Sequence, residues 1–413
     1  MVKPTKEKVE VGQEFTVEIG AMVHGGHALA YPKGNTAFVR HAIPGESARI
    51  RITEVRSKFI RADAIEILNA SEHRVQAPCV WAHPGGCGGC DFQHVELSEQ
   101  RRIKGAIARE SLMRHAGVDP GEAEAIPLRD DHGLHWRSRM RWSVDQGGNA
   151  GLLAVRTHGV LPIDECILAT RAIAAAKVTE RQWPGVESVH TVQGSNQAVS
   201  IWADRELIDG GRKVTQHVHD REWEIGASDF WQVHPDAAPA IVDFVIAAAA
   251  PQSGERWLDL YAGAGLISAF LGEAVGAEGR VHAVESYRSA LRDGRRALAD
   301  LTQVEFIEAD VSTWNLPSQV DGIVLDPPRR GAGVEVMAAI AAAQPRAVVY
   351  VACDPVAFAR DASFLMGAGY ALAEFSVLDA FPMTHHMECI AKFVPGAQSD
   401  LGPVQAIKVN RIR

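Results

Sequence analysis

The chain has 413 residues, a formal net charge of −9 and 46% hydrophobic residues. This length exceeds the usual size of a single domain, so we expect two or three domains. No apolar run reaches the roughly 18 residues that cross a bilayer, and the first residues lack an apolar signal core; we therefore expect a cytoplasmic protein without a membrane partner. The acidic net charge does not exclude nucleic acid, because basic residues can cluster locally.

Residues from about 10 to 67 alternate between apolar and polar side chains in the manner of short strands, with turn signals such as Gly25-Gly26 between them. This pattern predicts a small barrel of the oligonucleotide-binding type over residues 1–68. Arginines that alternate with apolar residues share one face of a predicted strand. Such a face either binds phosphate or is simply solvated. Its basic residues are Arg49, Arg51, Arg56, Lys58 and Arg61.

Four of the six cysteines, Cys79, Cys87, Cys90 and Cys166, cluster before and within the middle of the chain. In a reducing compartment such clustering indicates a metal site or catalysis rather than disulfides. Glycines on both sides of the Cys87-x2-Cys90 pair let the backbone turn tightly around a metal. Four thiolates suit either zinc or an iron–sulfur cluster, and spacing does not separate the two. His83 and His94 are nearby alternative ligands.

The segment that follows predicts one charged amphipathic helix over residues 96–116 and then strands. Residues 136–142 interleave Trp136 and Trp142 with Arg137, Arg139 and Arg141. On a strand the three arginines would share one face, a pattern suited to phosphates. We assign residues 69–250 to a central α+β domain.

From Glu255 the pattern changes to strand, glycine loop and helix, which predicts a doubly wound parallel sheet over residues 251–395. Gly263 and Gly265 form the loop after the first strand, and Glu285 ends the second. A Gly-x-Gly turn with an acid about 20 residues later indicates nucleoside binding. Ser268 stands where a third glycine would fall, which favours S-adenosylmethionine (SAM) over NAD, since SAM has no pyrophosphate.

Cys353 follows the predicted buried strand Val349–Val351, and Asp354-Pro355 predicts the start of the next helix. This position at the carboxyl end of a strand suits a nucleophile. The alternative is a small buried hydrophobic residue, which is the commoner fate of a free cysteine.

Together these features resemble the RNA uridine-5-methyltransferase family, SAM-dependent enzymes that make 5-methyluridine in transfer and ribosomal RNA. The N-terminal barrel is similar to a TRAM domain, and the cysteines resemble the family's [4Fe-4S] site. Three segments resemble its catalytic signatures: Asp326–Arg329, Cys353–Pro355 and Phe381–Glu388. The resemblance implies a class I methyltransferase domain at the C-terminus and a helix over 96–118 that packs back on it.

The same resemblance implies a role for individual residues. Cys353 matches the nucleophile, Glu388 the general base, and Asp326 a position between base and cofactor. The positions matching SAM contacts are Gln232, Tyr261, Gly263, Gly265, Glu285, Asp310 and Asp326, and those matching ligands of a [4Fe-4S] cluster, with zinc as the lesser alternative, are Cys79, Cys87, Cys90 and Cys166. The sequence departs from the usual Ser-Cys-Asn-Pro, since Ala352 and Asp354 flank Cys353.

We therefore predict transfer of a methyl group to carbon 5 of a uridine, in 23S rRNA rather than tRNA, by a monomer with a tail of unknown role over 396–413. Cys353 would add to carbon 6 of the ring and would have to be substantially thiolate near neutral pH, with Arg329 and Arg330 compensating for Asp354. The alternatives are a methyltransferase for another base and an RNA-binding or folding factor with a structural metal site. A radical SAM enzyme would need a Cys-x3-Cys-x2-Cys run, which the sequence lacks.

Overall fold

A computed structural model describes residues 7–129 and 132–409. The first six residues of the predicted barrel and the last four of the predicted tail lie outside the described residues. Within residues 7–129 and 132–409, no helix combines the length and the apolar composition that crossing a bilayer requires.

The N-terminal region forms a six-stranded sheet in the order β1-β5-β6-β4-β3-β2. Its strands are β1 (Glu14–Glu18), β2 (Met22–Val23), β3 (His27–Ala30), β4 (Ala37–Arg40), β5 (Ser47–Val55) and β6 (Ile60–Asn69). Hydrogen bonds from Gly20 N to Leu29 O (2.7 Å) and from Leu29 N to Ala21 O (2.9 Å) join the chain after β1 to β3, so the sheet curls upon itself. On β5, Ala48, Ile50 and Ile52 are buried and Arg49 and Arg51 are exposed, as the alternation predicted.

The next two elements leave this region and join the C-terminal one. Helix α1 (Leu97–His115) buries Lys104, whose Nζ lies 2.6 Å from Asp379 Oδ1 and donates to Phe381 O at 2.9 Å. The short strand β7 (Ile126–Pro127) pairs in parallel with a strand of the C-terminal sheet. The chain therefore crosses to the C-terminal body before it forms the central sheet.

The predicted central segment 69–250 contains both helices and strands, since after α1 and β7 the chain forms a mainly antiparallel region with a short helix. Its elements are β8 (Arg139–Val144), β9 (Ala150–Leu153), β10 (Val160–Leu161), α2 (Arg171–Ala175), β11 (Ser188–Gln193), β12 (Val199–Ala203), β13 (Glu206–Asp209), β14 (Lys213–Val218) and β15 (Arg221–Gly226). The sheet order is β10-β9-β8-β11-β12-β13, and β14 and β15 form a separate hairpin. Trp142 and Trp183 lie in its hydrophobic core.

The C-terminal region is the predicted doubly wound sheet, in the order β18-β17-β16-β19-β20-β22-β21-β7. Its elements are α3 (Ala237–Ala249), β16 (Arg256–Leu260), α4 (Leu266–Val275), β17 (Arg280–Glu285), α5 (Arg288–Ala297), β18 (Val304–Glu308), β19 (Gly322–Leu325), α6 (Val334–Ala343), β20 (Ala347–Ala352), α7 (Pro355–Gly367), β21 (Tyr370–Asp379), β22 (Glu388–Pro395) and α8 (Gln398–Leu401). The strands from β16 to β20 pair in parallel, and β22 is antiparallel to both neighbours.

The order of the strands reverses between β16 and β19. The chain proceeds outward on one side through β17 and β18, and on the other through β20. Open α/β sheets bind ligands outside the carboxyl ends of the strands at such a point. Tyr261, Glu285, Asp310, Asp326 and Cys353 lie at or just after the ends of parallel strands at this edge, and Glu388 begins β22 there, whereas Gln232 lies in the segment after β15.

Candidate active site and cysteine pocket

Three predicted catalytic side chains meet at the carboxyl edge of the C-terminal sheet. Cys353 follows β20 and Glu388 begins β22, and the antiparallel register pairs Ala352 with Cys389, which sets Cys353 opposite Glu388. Asp326 follows β19, the parallel neighbour of β20. The sheet therefore brings a thiol and two carboxyl groups together from three strands.

The surroundings of Cys353 favour the thiol. Burial, followed by the carboxyl groups of Glu388 and Asp326, raises the pKa of Cys353 to about 12, although Arg329 opposes the shift. The expectation that Cys353 is substantially thiolate near neutral pH is therefore wrong for the free protein. The sequence analysis weighed Asp354 against the nearby arginines, but it did not weigh the effect of Glu388 and Asp326 on the pKa of the thiol.

The two carboxyl groups resist ionisation together. Glu388 is 5% exposed, and its Oε2 has no hydrogen-bond partner among the described residues. Burial and the neighbouring Asp326 raise the pKa of Glu388 well above its usual value, while Arg329 lowers it. Desolvation and Asp259 raise the pKa of Asp326 to about 7. Burial and Asp326 therefore disfavour the ionised form of Glu388, and Arg329 opposes them.

The loop after Cys353 starts a helix, as the sequence predicted. Asp354 is the N-cap of α7, and its Oδ1 accepts hydrogen bonds from Val356 N (3.0 Å) and Ala357 N (2.8 Å). These bonds satisfy two amides that the first turn of a helix leaves free. The cap fixes the backbone immediately after Cys353.

The loop after β16 turns through three residues with positive φ angles, two of which are glycines. Tyr261, Gly263 and Gly265 have φ angles of 63°, 56° and 76°. A Cβ atom on Gly265 would lie 2.7 Å from Phe306 Cζ, whereas one on Gly263 would meet nothing within 4 Å. The loop therefore packs tightly on one side and leaves room on the other.

The two acids at the ends of neighbouring strands hold loops in place. Glu285 accepts hydrogen bonds from Gly263 N (2.9 Å), Ser286 N (2.6 Å) and Tyr287 N (2.8 Å), which ties the glycine loop to β17. Asp310 accepts from Ser312 N (2.9 Å) and Ser312 Oγ (2.7 Å). Both carboxylates keep lone pairs that a bound nucleoside could use.

Asp259, inside β16, is a site residue that the sequence reasoning did not assign. It is 1% exposed; its Oδ2 accepts from Ser268 Oγ at 2.5 Å, and its Oδ1 has no partner among the described residues. Burial raises its pKa to about 7. The available signal was an acid within an otherwise apolar strand, Trp257–Leu260.

Residues 136–142, which the sequence predicted as a strand with a phosphate-binding face, are only partly available to RNA. Trp136 and Trp142 are buried, and Arg139 donates hydrogen bonds to the carbonyl groups of Ala227 and Asp229. Arg139 therefore holds the loop that carries half-buried Gln232. Of the three arginines, only Arg141 is exposed. The pattern indicated the shared face correctly, but the aromatic rings serve the core.

The basic face of the barrel is also less free than the sequence indicated. Arg49 Nη2 lies 2.5 Å from Glu66, Arg51 Nη2 lies 2.7 Å from Glu14, and Arg61 Nη1 lies 2.9 Å from Glu54. Arg56 also pairs with Glu54. The glutamates come from neighbouring strands, so the arginine stripe is neutralised by a register that the sequence did not reveal.

The four predicted ligand cysteines line one pocket of about 340 Å³, part of it open to solvent. Cys79, Cys87 and Cys90 reach it from the segment before α1, and Cys166 from the loop after β10. Gly89 N donates to Cys87 Sγ at 3.4 Å. His83 and His94 do not line the pocket. No group of three His, Cys, Asp or Glu side chains among the described residues is arranged to hold a metal ion, so a metal here stays a prediction.

Two family models match the chain. The model for the TRAM domain matches residues 8–65, and that for tRNA (Uracil-5-)-methyltransferase matches residues 309–393. The first agrees with the barrel predicted over residues 1–68, and the second covers the edge that carries Asp310, Asp326, Cys353 and Glu388.

Curated relatives match along nearly the whole chain. An uncharacterized RNA methyltransferase of Streptomyces avermitilis is 39% identical over 94% of this chain and 100% of its own length. The 23S rRNA (uracil(1939)-C(5))-methyltransferase RlmD of Pseudomonas aeruginosa is 30% identical over 94% of this chain and 96% of its own length.

A solved structure has the same fold. The tRNA (uracil-54, C5)-methyltransferase of Pyrococcus abyssi, in complex with S-adenosyl-L-homocysteine, matches with a TM-score of 0.71 at 20% identity. The match covers 92% of this chain and 99% of that one. The overall fold is therefore shared over most of this chain.

Proposed function

The chain belongs to the family of SAM-dependent RNA uracil-5-methyltransferases, and from this premise we propose that it methylates carbon 5 of one uridine in 23S rRNA through a transient bond to Cys353. The observation that carries the proposal is the meeting of Cys353, Glu388 and Asp326 at one edge of the sheet. A nucleophilic sulfur beside a carboxyl group is what methylation at a ring carbon needs, and methylation of an amino group needs neither.

The choice of 23S rRNA is supported by the relative from Pseudomonas aeruginosa, whose name gives that RNA as its substrate and which aligns along almost its whole length. The structural neighbour from Pyrococcus abyssi is named for tRNA, but at 20% identity it bears on the fold alone. The target base has to leave its stack before carbons 5 and 6 are accessible, at a cost of a few kcal/mol.

Carbon 5 of uracil is a poor nucleophile until the ring gains electrons. The thiol of Cys353 loses its proton to solvent as its sulfur forms a bond to carbon 6, and the electron pair of the ring double bond moves to the carbonyl oxygen at carbon 4. Carbon 5 is then nucleophilic, so one difficult step becomes two easier ones. SAM, when bound, supplies the electrophilic methyl group.

The carboxyl groups complete the reaction by accepting a proton. After methylation, carbon 5 still carries its hydrogen, and its removal restores the double bond as the Cys353 sulfur leaves. We assign this proton to Glu388, since it faces Cys353 and lies almost without solvent contact. Arg329 lowers the pKa of both Cys353 and Glu388, so we assign it to stabilising their ionised forms.

The residues that would hold SAM fit such a ligand. The open side of Gly263 permits close approach of a nucleoside, and Glu285 and Asp310 present carboxylates at the ends of two adjacent strands. Tyr261 directly follows β16, Gly265 shapes the turn, and Gln232 follows Trp231, which shares a hydrophobic cluster with Ala264 of the glycine loop. We assign to these residues the binding and orientation of the cofactor.

We propose that the four cysteines bind a [4Fe-4S] cluster rather than zinc. The support is the resemblance of these four positions to the cluster ligands of the family, together with the finding that all four cysteines line one pocket. The cluster would cross-link the segment before α1 to the loop of Cys166. Equal molar amounts of iron and acid-labile sulfide, at about four per chain, would support it; stoichiometric zinc would favour the alternative.

The test of the function is to map 5-methyluridine in ribosomal and transfer RNA from cells with and without the protein. Loss of one 5-methyluridine from 23S rRNA is the expected result. Loss from tRNA alone would overturn the choice of RNA. An altered methylated amino group would identify the enzyme as acting on another base, and an unchanged set of modified bases would favour an RNA-binding or folding factor.

A further inference from the structure

The first hairpin of the barrel reaches the loop that carries Cys353. Its turn, His24-Gly25-Gly26, connects β2 to β3, and both glycines have positive φ angles. The His24 Nε2 atom lies 3.1 Å from Asp354 Oδ2, and Asp354 directly follows Cys353. The barrel therefore contacts the residue next to the proposed nucleophile.

The hairpin fits closely against a third part of the chain. A Cβ atom added to Gly26 would lie 2.7 Å from Asp91 Cβ. Asp91 Oδ2 lies 2.6 Å from His385 Nδ1, and the ring of His385 packs edge-on against the ring of His24. The position of His24 is thus fixed from the barrel, from the segment after Cys90 and from the loop before Glu388.

Asp354 has a charge that this contact offsets. Burial raises its pKa, but the hydrogen bond from His24 and those from the amides of Ala357 and Val356 outweigh burial and lower the pKa to about 2. Asp354 is therefore ionised, and its negative charge is among the groups that disfavour a thiolate at Cys353. Its Oδ1 caps α7, which leaves Oδ2 to His24.

The residue after Cys353 needs a partner because it is an aspartate. An asparagine at this position would cap α7 without adding charge. With Asp at the same place, a hydrogen-bond donor is needed on the oxygen that does not cap the helix. Among the described side chains, His24 is the one recorded as a donor to that oxygen.

We propose that His24 is a positioning residue for methyl transfer, which holds Asp354 so that the Cys353 loop stays seated and its sulfur can ionise. The proposal rests on the proposed role of Cys353 as nucleophile. It makes the barrel more than a module for RNA binding, because removal of one barrel side chain would change the reactivity of a sulfur on another part of the chain.

The test measures the reactivity of Cys353 without requiring catalysis. The full-length protein, with its native cysteine site, is treated with iodoacetamide, and alkylation is followed on the tryptic peptide from Ala347 to Arg360, which contains Cys353 and no other cysteine. The variants are His24→Ala, Asp354→Asn and the two together. His27→Ala is the matched control, since His27 lies in the same hairpin but pairs with Arg156.

We expect His24→Ala to slow alkylation of Cys353 by about 3- to 10-fold, and to change it by less than about 2-fold when Asp354→Asn is present, because neighbouring groups couple. The kcat of RNA methylation should fall by a similar factor with the KM for SAM unchanged. His24→Gln, which keeps an N–H donor, should restore most of both. His27→Ala should leave the alkylation rate unchanged.

Equal effects of His24→Ala with and without Asp354→Asn would overturn the proposal, as would unchanged or faster alkylation in His24→Ala. Failure of the proposed function is seen separately. If Cys353→Ala still methylates RNA, Cys353 is not the nucleophile, whatever the alkylation rates show.

Discussion

The barrel and the carboxyl edge of the C-terminal sheet both gather charged side chains, and they arrange them in opposite ways. On the barrel, Arg49 and Arg51 are exposed, and each lies within ion-pair distance of a glutamate on a neighbouring strand. At the sheet edge, Glu388 is buried with one oxygen lacking a partner among the described residues, and burial and Asp326 raise its pKa against the opposing effect of Arg329. One region satisfies its charges locally, and the other does not.

The two arrangements differ in their energetic cost to the fold, and the costly one indicates the functional site. Exposed ion pairs contribute about 0–1 kcal/mol and cost little to form. A buried carboxyl without a partner costs on the order of 1–3 kcal/mol, which a fold retains where the group has a task. The sheet edge is therefore the stronger indicator of chemistry, and the arginine stripe of the barrel is a weak indicator of RNA binding.

The largest expected effect comes from the sulfur at the sheet edge. Cys353→Ala should lower the rate of RNA methylation by at least about 10⁴-fold, because no other group can form the bond to carbon 6. Single-turnover transfer of labelled methyl from SAM to RNA measures it. Cys389→Ala is the control: this buried cysteine lies on β22 beside Glu388, and we assign it no role in the reaction, so the variant's rate should stay within a few-fold of the original.

The next largest effect distinguishes the role of Glu388 as base from that of Cys353 as nucleophile. Glu388→Gln should lower turnover by about 10²–10⁴-fold, yet leave addition of Cys353 to the ring intact, so that a covalent complex with RNA accumulates. Denaturing gel electrophoresis of labelled RNA detects it. Glu374→Gln, at an acid paired with Lys392 on the neighbouring strand, is the control and should give no adduct. A fully active Glu388→Gln variant would remove the contrast between the two regions.

The sequence predicted what depends on local order. The strand before Cys353, the helix that begins at Pro355 and the glycine loop at Gly263 all follow from short patterns, and each is present. The ionisation of Cys353 was not accessible in this way, because it depends on Glu388, which only the register between β20 and β22 brings alongside. Strand register likewise decided that Arg51 faces Glu14.

The pH dependence of stability gives a third, smaller effect at the sheet edge. Burial raises the folded-state pKa of Asp259 to about 7. Its contribution to stability is therefore fully present below its unfolded pKa of about 4 and is lost as the pH rises to about 7, an amount on the order of 4 kcal/mol. Asp259→Asn should remove this loss, so the variant should be the more stable protein at pH 8 and nearly equal at pH 4.

Denaturant unfolding across that pH range measures the effect. Asp119→Asn is the control, since Asp119 is an exposed carboxylate whose pKa is lowered by Arg109. Relative to the unchanged protein, the Asp119→Asn variant should gain no stability as the pH rises from 4 to 8. A parallel response of the two variants would mean that burial does not distinguish the sheet edge from the surface.

The smallest effect is expected on the barrel, and it tests the other half of the comparison. A double-mutant cycle of Glu14→Gln and Arg51→Gln should give a coupling of about 0.2–1 kcal/mol in the free energy of unfolding, reduced at high salt, because both side chains are solvated. If the pair instead opens to meet a phosphate, Arg51→Gln would reduce the slope of log affinity for RNA against log salt by about one. An unchanged slope would mean that the stripe serves the barrel itself, and that RNA is held by arginines without an acidic partner.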